Sequence, residues 1–545
     1  MLYPIALQGL KGVGACPHCS IILYRLLMLG KFPFISAYSK IIAMTLKIPK
    51  EAKDAAKQLE NAGYAAYLVG GCVRDLVVGK KPKDWDIATN ATPEEIQKVF
   101  PESVYENNFG TVGVKTGSND ETLKILEITT FRSESVYEDR RHPKEVKFVS
   151  TIEEDLSRRD FTVNAMALAL TGNKKLKTNN SYKLSVGSDL LLVDPFGGQK
   201  DLKKKIVRAV GNPRERFQED ALRLMRAVRF AVELDFKIDP PTQEEVAKNA
   251  GLIEEIAKER IRDEFTKIIM SDRAAEGIIL LEDAGLLKYI VPELREGIGC
   301  GQNKHHIYTV FEHNVRALNY TAEKGYSFKV RLASLLHDVG KPRVKRGDGP
   351  DSTFYNHEVV GARMALKIMD RLKFPKELVE EVGHLVRYHL FYYNVGEVTE
   401  AGVRRFLARV GPENVDDLLK VREADRIGSG VPKAFPYKLR HLLFMIEKVK
   451  RDPISPKMLK VNGTDVMKIL NVAPGPKIGW ILTILLEEVL DDPKKNEEKY
   501  LDGRVGYLGM LSDKELKKMS EKARETKEEF EGGAEAEMKR KYYVR

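Results

Sequence analysis

Apolar positions along this chain first recur with mixed periods and then almost wholly with the helical one, and that change divides it. Residues 50–62 carry an amphipathic pattern closed by Gly63, as a helix would be. Tyr64 to Val69 predicts a short strand broken by Gly70-Gly71, and Ile87-Ala88 and Lys124 to Phe131 predict further strands. Helices and strands mix to about residue 210. From Arg214 onward the period is helical, over 214–232, 242–272 and 273–288. Pro292 and Gly297 to Gly301 read as a linker. Helices resume from about 307 to 428, Gly428-Ser429-Gly430 interrupts them, and a last helical segment covers about 435–530. The pattern predicts an α+β chain with a small mixed-sheet head over 44–200. A helical neck and body over 201–300, a helical domain over 305–430, a helical tail over 435–530 and a disordered end over 531–545 follow it. Met44 precedes Thr-Leu-Lys-Ile-Pro-Lys-Glu, which reads as a start before a helix, so residues 1–43 are set apart as an extension.

Length and charge narrow the class. With 545 residues the chain is too long for one domain. Its net charge of +11 suits a polyanionic partner such as RNA, although an anionic membrane or simple solubility would produce the same balance. Four cysteines make no disulfide framework, which points to a reduced, cytoplasmic setting. Cys16 and Cys19 form one C-x-x-C with no second ligand pair at zinc spacing. No apolar run reaches the roughly 18 residues needed to span a bilayer.

Candidate chemistry begins at the first glycine pair. Gly70 and Gly71 follow a predicted strand, where their backbone can approach a phosphate, and Arg74 adds a fork of donors for triphosphate oxygens. An ordinary turn would also carry Gly-Gly. Asp84 and Asp86 flank Trp85; on a strand, residues i and i+2 face one way, so the two carboxylates converge. A hard cation relieves their repulsion, and Mg²⁺ is the usual one beside phosphates. A solvated turn is the plain alternative for D-x-D. Glu127, in Lys-Ile-Leu-Glu-Ile-Thr-Thr-Phe, is expected on a buried strand, where a lone charge is costly unless paired or on a metal. Three carboxylates on neighbouring strands can hold two metals about 4 Å apart for in-line displacement at phosphorus. Arg158 and Arg159 can hold phosphates and Asp160 can accept from a ribose hydroxyl, with a surface ion pair as the alternative. Glu219-Asp220-x-x-Arg223-x-x-Arg226-x-x-Arg229 is expected on a helix, where Asp220 and Arg223 share a face. A helical ion pair explains that spacing. So does base reading: adenine and cytosine both present an exocyclic amine, so an Asp acceptor beside an Arg donor pairs with A and C and mismatches G and U.

The ordered set of motifs resembles the bacterial-type (class II) tRNA nucleotidyltransferase and poly(A) polymerase family over about 65–230. The motifs are Leu-Val-Gly-Gly-Cys-Val-Arg-Asp, Lys-Asp-Trp-Asp-Ile-Ala-Thr, Arg-Arg-Asp-Phe-Thr-Val-Asn-Ala, Asp194-Pro-Phe-Gly197-Gly198-Gln-Lys-Asp-Leu and Glu-Asp-Ala-Leu-Arg-Leu-Met-Arg. The resemblance implies Asp84 and Asp86 as Mg²⁺ ligands and Glu127 as the third carboxylate. It implies Gly71, Arg74, Arg159, Asp220, Arg223, Arg226 and Arg229 around the incoming nucleotide. It also implies tRNA as the acceptor and CTP and ATP as substrates. Within the family, full CCA addition competes with CC-only addition, A-only addition and polyadenylation. Ser133 to Ser150, with Asp139-Arg140-Arg141-His142-Pro143, looks like the loop that lets such enzymes switch from CTP to ATP. Leu459-Lys-Val-Asn462-Gly463-Thr-Asp465-Val-Met followed by Gly475-Pro-Lys477-Ile-Gly479 looks like their tRNA-binding tail; a helical hairpin packed on its own domain is the alternative.

A second constellation lies in the helical half. Of ten histidines, seven fall between 305 and 389. His313, His337-Asp338-Val339-Gly340-Lys341-Pro342, His357, His384, His389 and Asp425 resemble the HD superfamily of metal-dependent phosphohydrolases over about 305–430. That implies one metal at His313, His337, Asp338 and Asp425, and a second position completed by His357 and His389. His337 and Asp338, expected as neighbours on a helix, meet one metal only if His313 and Asp425 come from adjoining helices. Such ligands suit Mn, Fe, Ni or Zn. The superfamily implies phosphatase or 2′,3′-cyclic phosphodiesterase activity on RNA ends. Two other classes of function compete: a phosphohydrolase whose head only binds nucleotide or RNA, and a non-catalytic RNA-binding protein.

Overall fold

The computed structural model describes residues 47–525 apart from 106–109, 135–145, 171–182, 186–189, 304–306, 392, 397 and 431–435. The extension 1–43, the Asp139 to Pro143 segment and the end 531–545 therefore lie outside the described residues. The chain forms two compact units, Met1–Glu219 and Asp220–Arg545, so residues 201–219 stay with the head.

The first unit is built on one eight-stranded sheet. Its strands in chain order are β1 (Ala66–Val69), β2 (Asp86–Thr89), β3 (Ser103–Tyr105), β4 (Thr111–Lys115) and β5 (Ile125–Thr130), then, after the hairpin β6 (Arg132–Glu134) and β7 (Val146–Phe148), β8 (Ala167–Ala169), β9 (Lys183–Ser185) and β10 (Leu191–Val193). The order across the sheet is β3-β4-β5-β2-β1-β8-β10-β9. Only β2 and β5 pair in parallel, as a mixed sheet requires. Helices α1 (Lys50–Asn61), α2 (Gly71–Val78), α3 (Pro93–Val99), α4 (Ile152–Ser157), α5 (Gly198–Lys204) and α6 (Pro213–Glu219) complete it. The short central strands are apolar on both faces: all of Ala66 to Val69 is buried. One face joins Tyr67, Val69, Ala88, Ala167, Ala169, Leu191 and Val193 to Ile152 and Leu156 of α4, so α4 covers that face. Helix α3 starts at a capping box in which Thr92 and Glu95 each bond the other's backbone N–H.

The second unit is almost wholly helical. Its first part contains α7 (Leu222–Leu234), α8 (Pro240–Asn249), α9 (Lys258–Met270), α10 (Ala274–Asp283) and the short α11 (Leu287–Ile290) and α12 (Pro292–Arg295). The helix expected over 242–272 is broken by a 3₁₀ turn at Ala250–Glu255 and the extended Ile256. The next helices are α13 (Val310–Glu323), α14 (Phe328–Leu336), α15 (Lys341–Val344), α16 (His357–Arg371), α17 (Lys376–Tyr388), α18 (Glu400–Val410) and α19 (Val415–Gly428). Helix α13 packs on α14 and α19, and α16 on α17. The last part holds α20 (Tyr437–Val449), α21 (Gly463–Leu470), α22 (Pro476–Asp491) and α23 (Glu498–Gly509). Buried Arg404 of α18 ties this part down by donating to the Leu490 and Asp491 carbonyls at the end of α22, at 2.6 and 2.9 Å. No helix among the described residues is long and apolar enough to cross a membrane.

Candidate functional site

In the head, strand pairing decides which carboxylates meet. Asp86 and Glu127 are direct partners in the parallel β2–β5 register, so their side chains leave the same face of the sheet. That face also carries Val69, the partner of Asp86 on β1. Two expectations are corrected here. Asp84 lies in the bend before β2, not on the strand. Glu127 is exposed, because β5 alternates buried Leu126, Ile128 and Thr130 with outward Ile125, Glu127 and Thr129. It therefore needs no partner to escape a buried-charge penalty; what commends it is its register with Asp86. The three acids nevertheless share one field. Burial, then Asp84, then Glu127 push the Asp86 carboxyl up to about 7, against a lowering by Arg159.

Gly70 and Gly71 lie beside these acids. Gly70 has φ of 74°, and a Cβ there would stand 2.9 Å from Arg159 Nη1 and 3.7 Å from Asp86 Oδ2. At Gly71 a Cβ would approach Arg74 Nη2 at 3.7 Å and Asp84 Oδ1 at 3.8 Å. The two glycines thus keep backbone within reach of two guanidiniums and two carboxylates, as the reading of a phosphate cradle requires.

The arginines are aimed by neighbouring acids and one amide. Buried Asp155 on α4 accepts from Arg158 Nη2 at 2.8 Å and from Arg159 Nη2 at 3.1 Å. Burial raises its carboxyl, but the two arginines outweigh that and hold it below the usual range. Arg74 Nη1 donates to Asn164 Oδ1 at 2.8 Å and pairs with Asp75. Asp160 is buried and accepts from the Phe161 N–H at 2.8 Å. Beneath this turn, Asp194 caps the start of α5 at Gly198 and Gln199, and Asp201 accepts from Thr162 at 2.7 Å. A Cβ on Gly198 would lie 2.3 Å from the Thr162 carbonyl oxygen. The Asp194-Pro-Phe-Gly-Gly motif is a buttress under the arginine turn. The i, i+3, i+4 spacing of Asp155, Arg158 and Arg159 was a signal open to sequence reasoning.

The Asp220 to Arg229 set belongs to the second unit. Asp220 precedes α7 instead of lying on it, because the helix expected over 214–232 breaks between α6 and α7. Its carboxylate accepts two bonds from Arg260 of α9, at 3.3 and 2.8 Å, and one from the Leu222 N–H at 3.0 Å. Arg223 and Arg229 are buried. Arg229 faces buried Glu264 at 3.1 Å, and Arg226 lies 3.9 Å from the same residue. Arg260 and Glu264 were not foreseen, and nothing local marks them.

The second centre is buried throughout. Nε2 of His313 stands 2.8 Å from Nε2 of His337 and 3.2 and 3.4 Å from Asp338 and Asp425 oxygens. Asp338 has two faces: Oδ2 looks at His313 and His337, while Oδ1 lies 3.3 Å from His357 Nε2 and 3.6 Å from His389 Nε2. His337 and Asp338 are in the turn after α14, not on a helix as expected, which frees both to point inward. His337, His357 and His389 each have Nδ1 against the carbonyl three residues back, at Ser334, Phe354 and Val386, at 2.7 to 2.8 Å. Such bonds place the ring proton on Nδ1 and turn Nε2 inward, the orientation of an imidazole that ligates once Nε2 carries no proton. Burial holds the His357 imidazole down at about 3, which keeps it neutral. Burial would also lower His337, but Asp338 and Asp425 overrule it and hold it up at about 10.

Two ligand groups, His313-His337-Asp425 and His337-Asp338-His389, bring their donor atoms within 4.8 Å of one another. This nitrogen and oxygen donor set fits a transition metal, with Asp338 able to lie between two positions. Lys341 Nζ contacts Asp338 Oδ2 at 2.6 Å and Gln302 at 2.8 Å, a cation already beside the carboxylate. A Cβ on Gly340 would lie 2.4 Å from the His357 carbonyl, so the glycine lets α16 close over the centre. His384 stands outside it, bonded to the Val410 carbonyl at 2.6 Å. In the tail, Asn462 and Asp465 form a helix capping box, and Lys477 donates to the Gly509 carbonyl at 3.0 Å. These bonds set the local shape of the two motifs.

Comparison with known proteins agrees with this arrangement. Residues 66–208 match the poly A polymerase head domain, residues 235–298 the probable RNA and SrmB-binding site of polymerase A, and residues 310–428 the HD domain. An A-adding tRNA nucleotidyltransferase of Deinococcus radiodurans is 34% identical over 436 residues, covering 77% of this chain and 91% of that protein. A CCA-adding enzyme of Limosilactobacillus fermentum is 42% identical over 465 residues, covering 84% and 96%. The crystal structure of the Bacillus stearothermophilus CCA-adding enzyme in complex with CTP matches with a TM-score of 0.60 at 28% identity, covering 84% of this chain and 96% of that one.

Proposed function

The chain belongs to the bacterial-type tRNA nucleotidyltransferase and poly(A) polymerase family, and from that premise we propose that it adds CCA to the 3′ end of tRNA from CTP and ATP, without a nucleic-acid template, in the cytoplasm. The observation that carries this reading is the register of Asp86 with Glu127 beside the Gly70-Gly71 turn. Asp84, Asp86 and Glu127 would hold Mg²⁺, which when bound supplies charge neutralisation at the triphosphate and acidifies the primer hydroxyl. Arg74 and Arg159, fixed by Asn164 and Asp155, bind the triphosphate oxygens. The Gly70-Gly71 backbone lets those oxygens come close, and Asp160 orients the sugar. Asp220 presents a carboxylate and Arg223 a guanidinium to the base edge shared by C and A; Arg260 holds the Asp220 carboxylate in place. Arg226 and Arg229, anchored on Glu264, support the same helix.

The second centre acts as a metal-dependent phosphohydrolase on RNA 3′ ends, clearing phosphate before nucleotides are added. What supports it is the convergence of Nε2 atoms on Asp338. The likeness to an A-adding enzyme over 91% of that protein favours one further reading, addition of A alone to tRNA already ending in CC. Primer extension separates these. Purified protein with Mg²⁺ and tRNA lacking CCA is given CTP, ATP or both, and the products are sequenced. Extension that stops after CCA supports the first reading. Addition only to tRNA ending in CC moves the protein to A-only addition, and a long A tail to polyadenylation. No extension on any primer overturns all three. Release of phosphate from 3′-phosphorylated RNA, or ring opening of a 2′,3′-cyclic phosphate to a monophosphate, lost in His337→Ala, tests the second centre.

A further inference from the structure

Helix α20 carries aromatic rings on a face turned to solvent. Tyr437 and Phe444 are 62% and 63% exposed. His441 stands between them, its ring centroid 6.0 Å from each. Positions 437, 441 and 444 share one helical face, while Leu439, Leu442 and Val449 bury another. The core therefore does not need these rings, and exposed rings in a row mark a contact surface. The middle ring is fixed from below: the buried Tyr393 hydroxyl bonds His441 Nδ1, and their rings lie 5.9 Å apart. A fixed central ring means little side-chain freedom is lost when a ligand stacks on the row.

Charge narrows the ligand. Residues 436–451 contain Lys438, Arg440, Lys448, Lys450 and Arg451 against the single acid Glu447. Lys448 also reaches Glu400, and Lys450 lies 3.3 Å from Glu447. Open rings among cations match unpaired bases strung on phosphates, because bases stack on any aromatic face and the backbone wants positive charge.

We propose that the Tyr437–His441–Phe444 face of α20 is a stacking platform for unpaired bases of the RNA substrate. It holds the RNA and takes no part in choosing the nucleotide. The proposal rests on the reading that the substrate is tRNA. Each exposed ring accepts a base, and Lys438 and Arg440 hold the adjoining phosphates.

The test is binding of labelled tRNA lacking CCA to the full chain, measured across a salt series. Phe444→Ala, Phe444→Leu and Tyr437→Ala should each weaken binding about tenfold, the loss of one stacked base, with the salt slope unchanged. Phe444→Trp should bind as the wild type does. Lys438→Gln should instead flatten the salt slope by about one phosphate contact. Leucine keeps an apolar contact but not stacking, so wild-type affinity in both Phe444→Leu and Tyr437→Ala overturns the platform. So does a dimer that Phe444→Ala dissolves while RNA affinity stays the same, since the occupant would then be a second copy. Thermal unfolding of each variant shows that affinity was lost without loss of fold. Primer extension by the wild type keeps the two readings apart. If the wild type extends tRNA and the variants bind normally, the platform alone fails. If it extends nothing, the substrate reading fails and mixed-sequence single-stranded RNA replaces tRNA in the same binding test.

Discussion

The two centres of this chain use acidic side chains in opposite ways. In the head, Asp84 and Glu127 stand in solvent and Asp86 is half-buried, on the sheet face that also carries Val69 and Ala88. In the helical unit, Asp338 and Asp425 are buried among four histidines whose rings converge on them. The open acids suit a cation that arrives and leaves with a triphosphate. The buried set suits an ion that stays, since burial without a cation leaves two carboxylates dependent on Lys341, Arg422 and a shared imidazole proton. Exposure therefore distinguishes the two acid clusters more clearly than the residue types do.

The contrast can be broken most strongly at the head. Asp86→Ala should lower nucleotide addition by on the order of 10³-fold, through loss of several kcal/mol of charge stabilisation, while transition-metal content by mass spectrometry stays at the wild-type value. A parallel fall in bound metal would mean the centres are not independent. In the other direction, His337→Ala should weaken transition-metal retention by more than the roughly 10- to 100-fold that loss of an outer contact produces. Primer extension then reports whether the head works without that ion.

Two matched glycines sharpen the comparison at smaller scale. Gly198→Ala places a Cβ 2.3 Å from a backbone oxygen under the head turn, and Gly340→Ala does so at 2.4 Å beside His357. Each should cost about 1–3 kcal/mol in unfolding by denaturant, the usual penalty of overpacking. The first should depress nucleotide addition and the second metal retention; the reverse assignment would refute the buttress roles.

The smallest effect is one proton. Asp86 sits at about 7 in the folded protein, above the ordinary Asp value near 4. With the folded value raised, its contribution to stability is full below about pH 4 and is lost as pH rises through about 7. Mg²⁺ must displace that proton, so Mg²⁺ binding should tighten from pH 6 to pH 8 by less than about tenfold per unit. Calorimetry in buffers of different ionisation heat should show proton release at pH 6 that Asp86→Asn abolishes.

Local spacing explains where reading the chain worked. Helix α1 ends beside Gly63, and β1, β2 and β5 fall at segments read as strands. It went astray where a local rule met a neighbour. Glu127 looked buried because Ile and Leu flank it, but alternation on β5 turns those residues inward and the acid outward. Asp220 looked helical from its spacing to Arg223, but the chain breaks there and Arg260, forty residues on, takes the carboxylate.

By itself the sequence determined the periods of the elements, the acids, arginines and histidines available for chemistry, and the family to which their order belongs. Those follow from covalent spacing and short-range propensity. Tertiary structure alone decided that Asp86 faces Glu127, that Asp338 turns one oxygen to each pair of histidines, and that Asn164 and Arg260 bond Arg74 and Asp220. Strand register and helix crossing are set by burial and hydrogen bonding between segments far apart in the chain, and no local pattern encodes which distant residue will lie opposite.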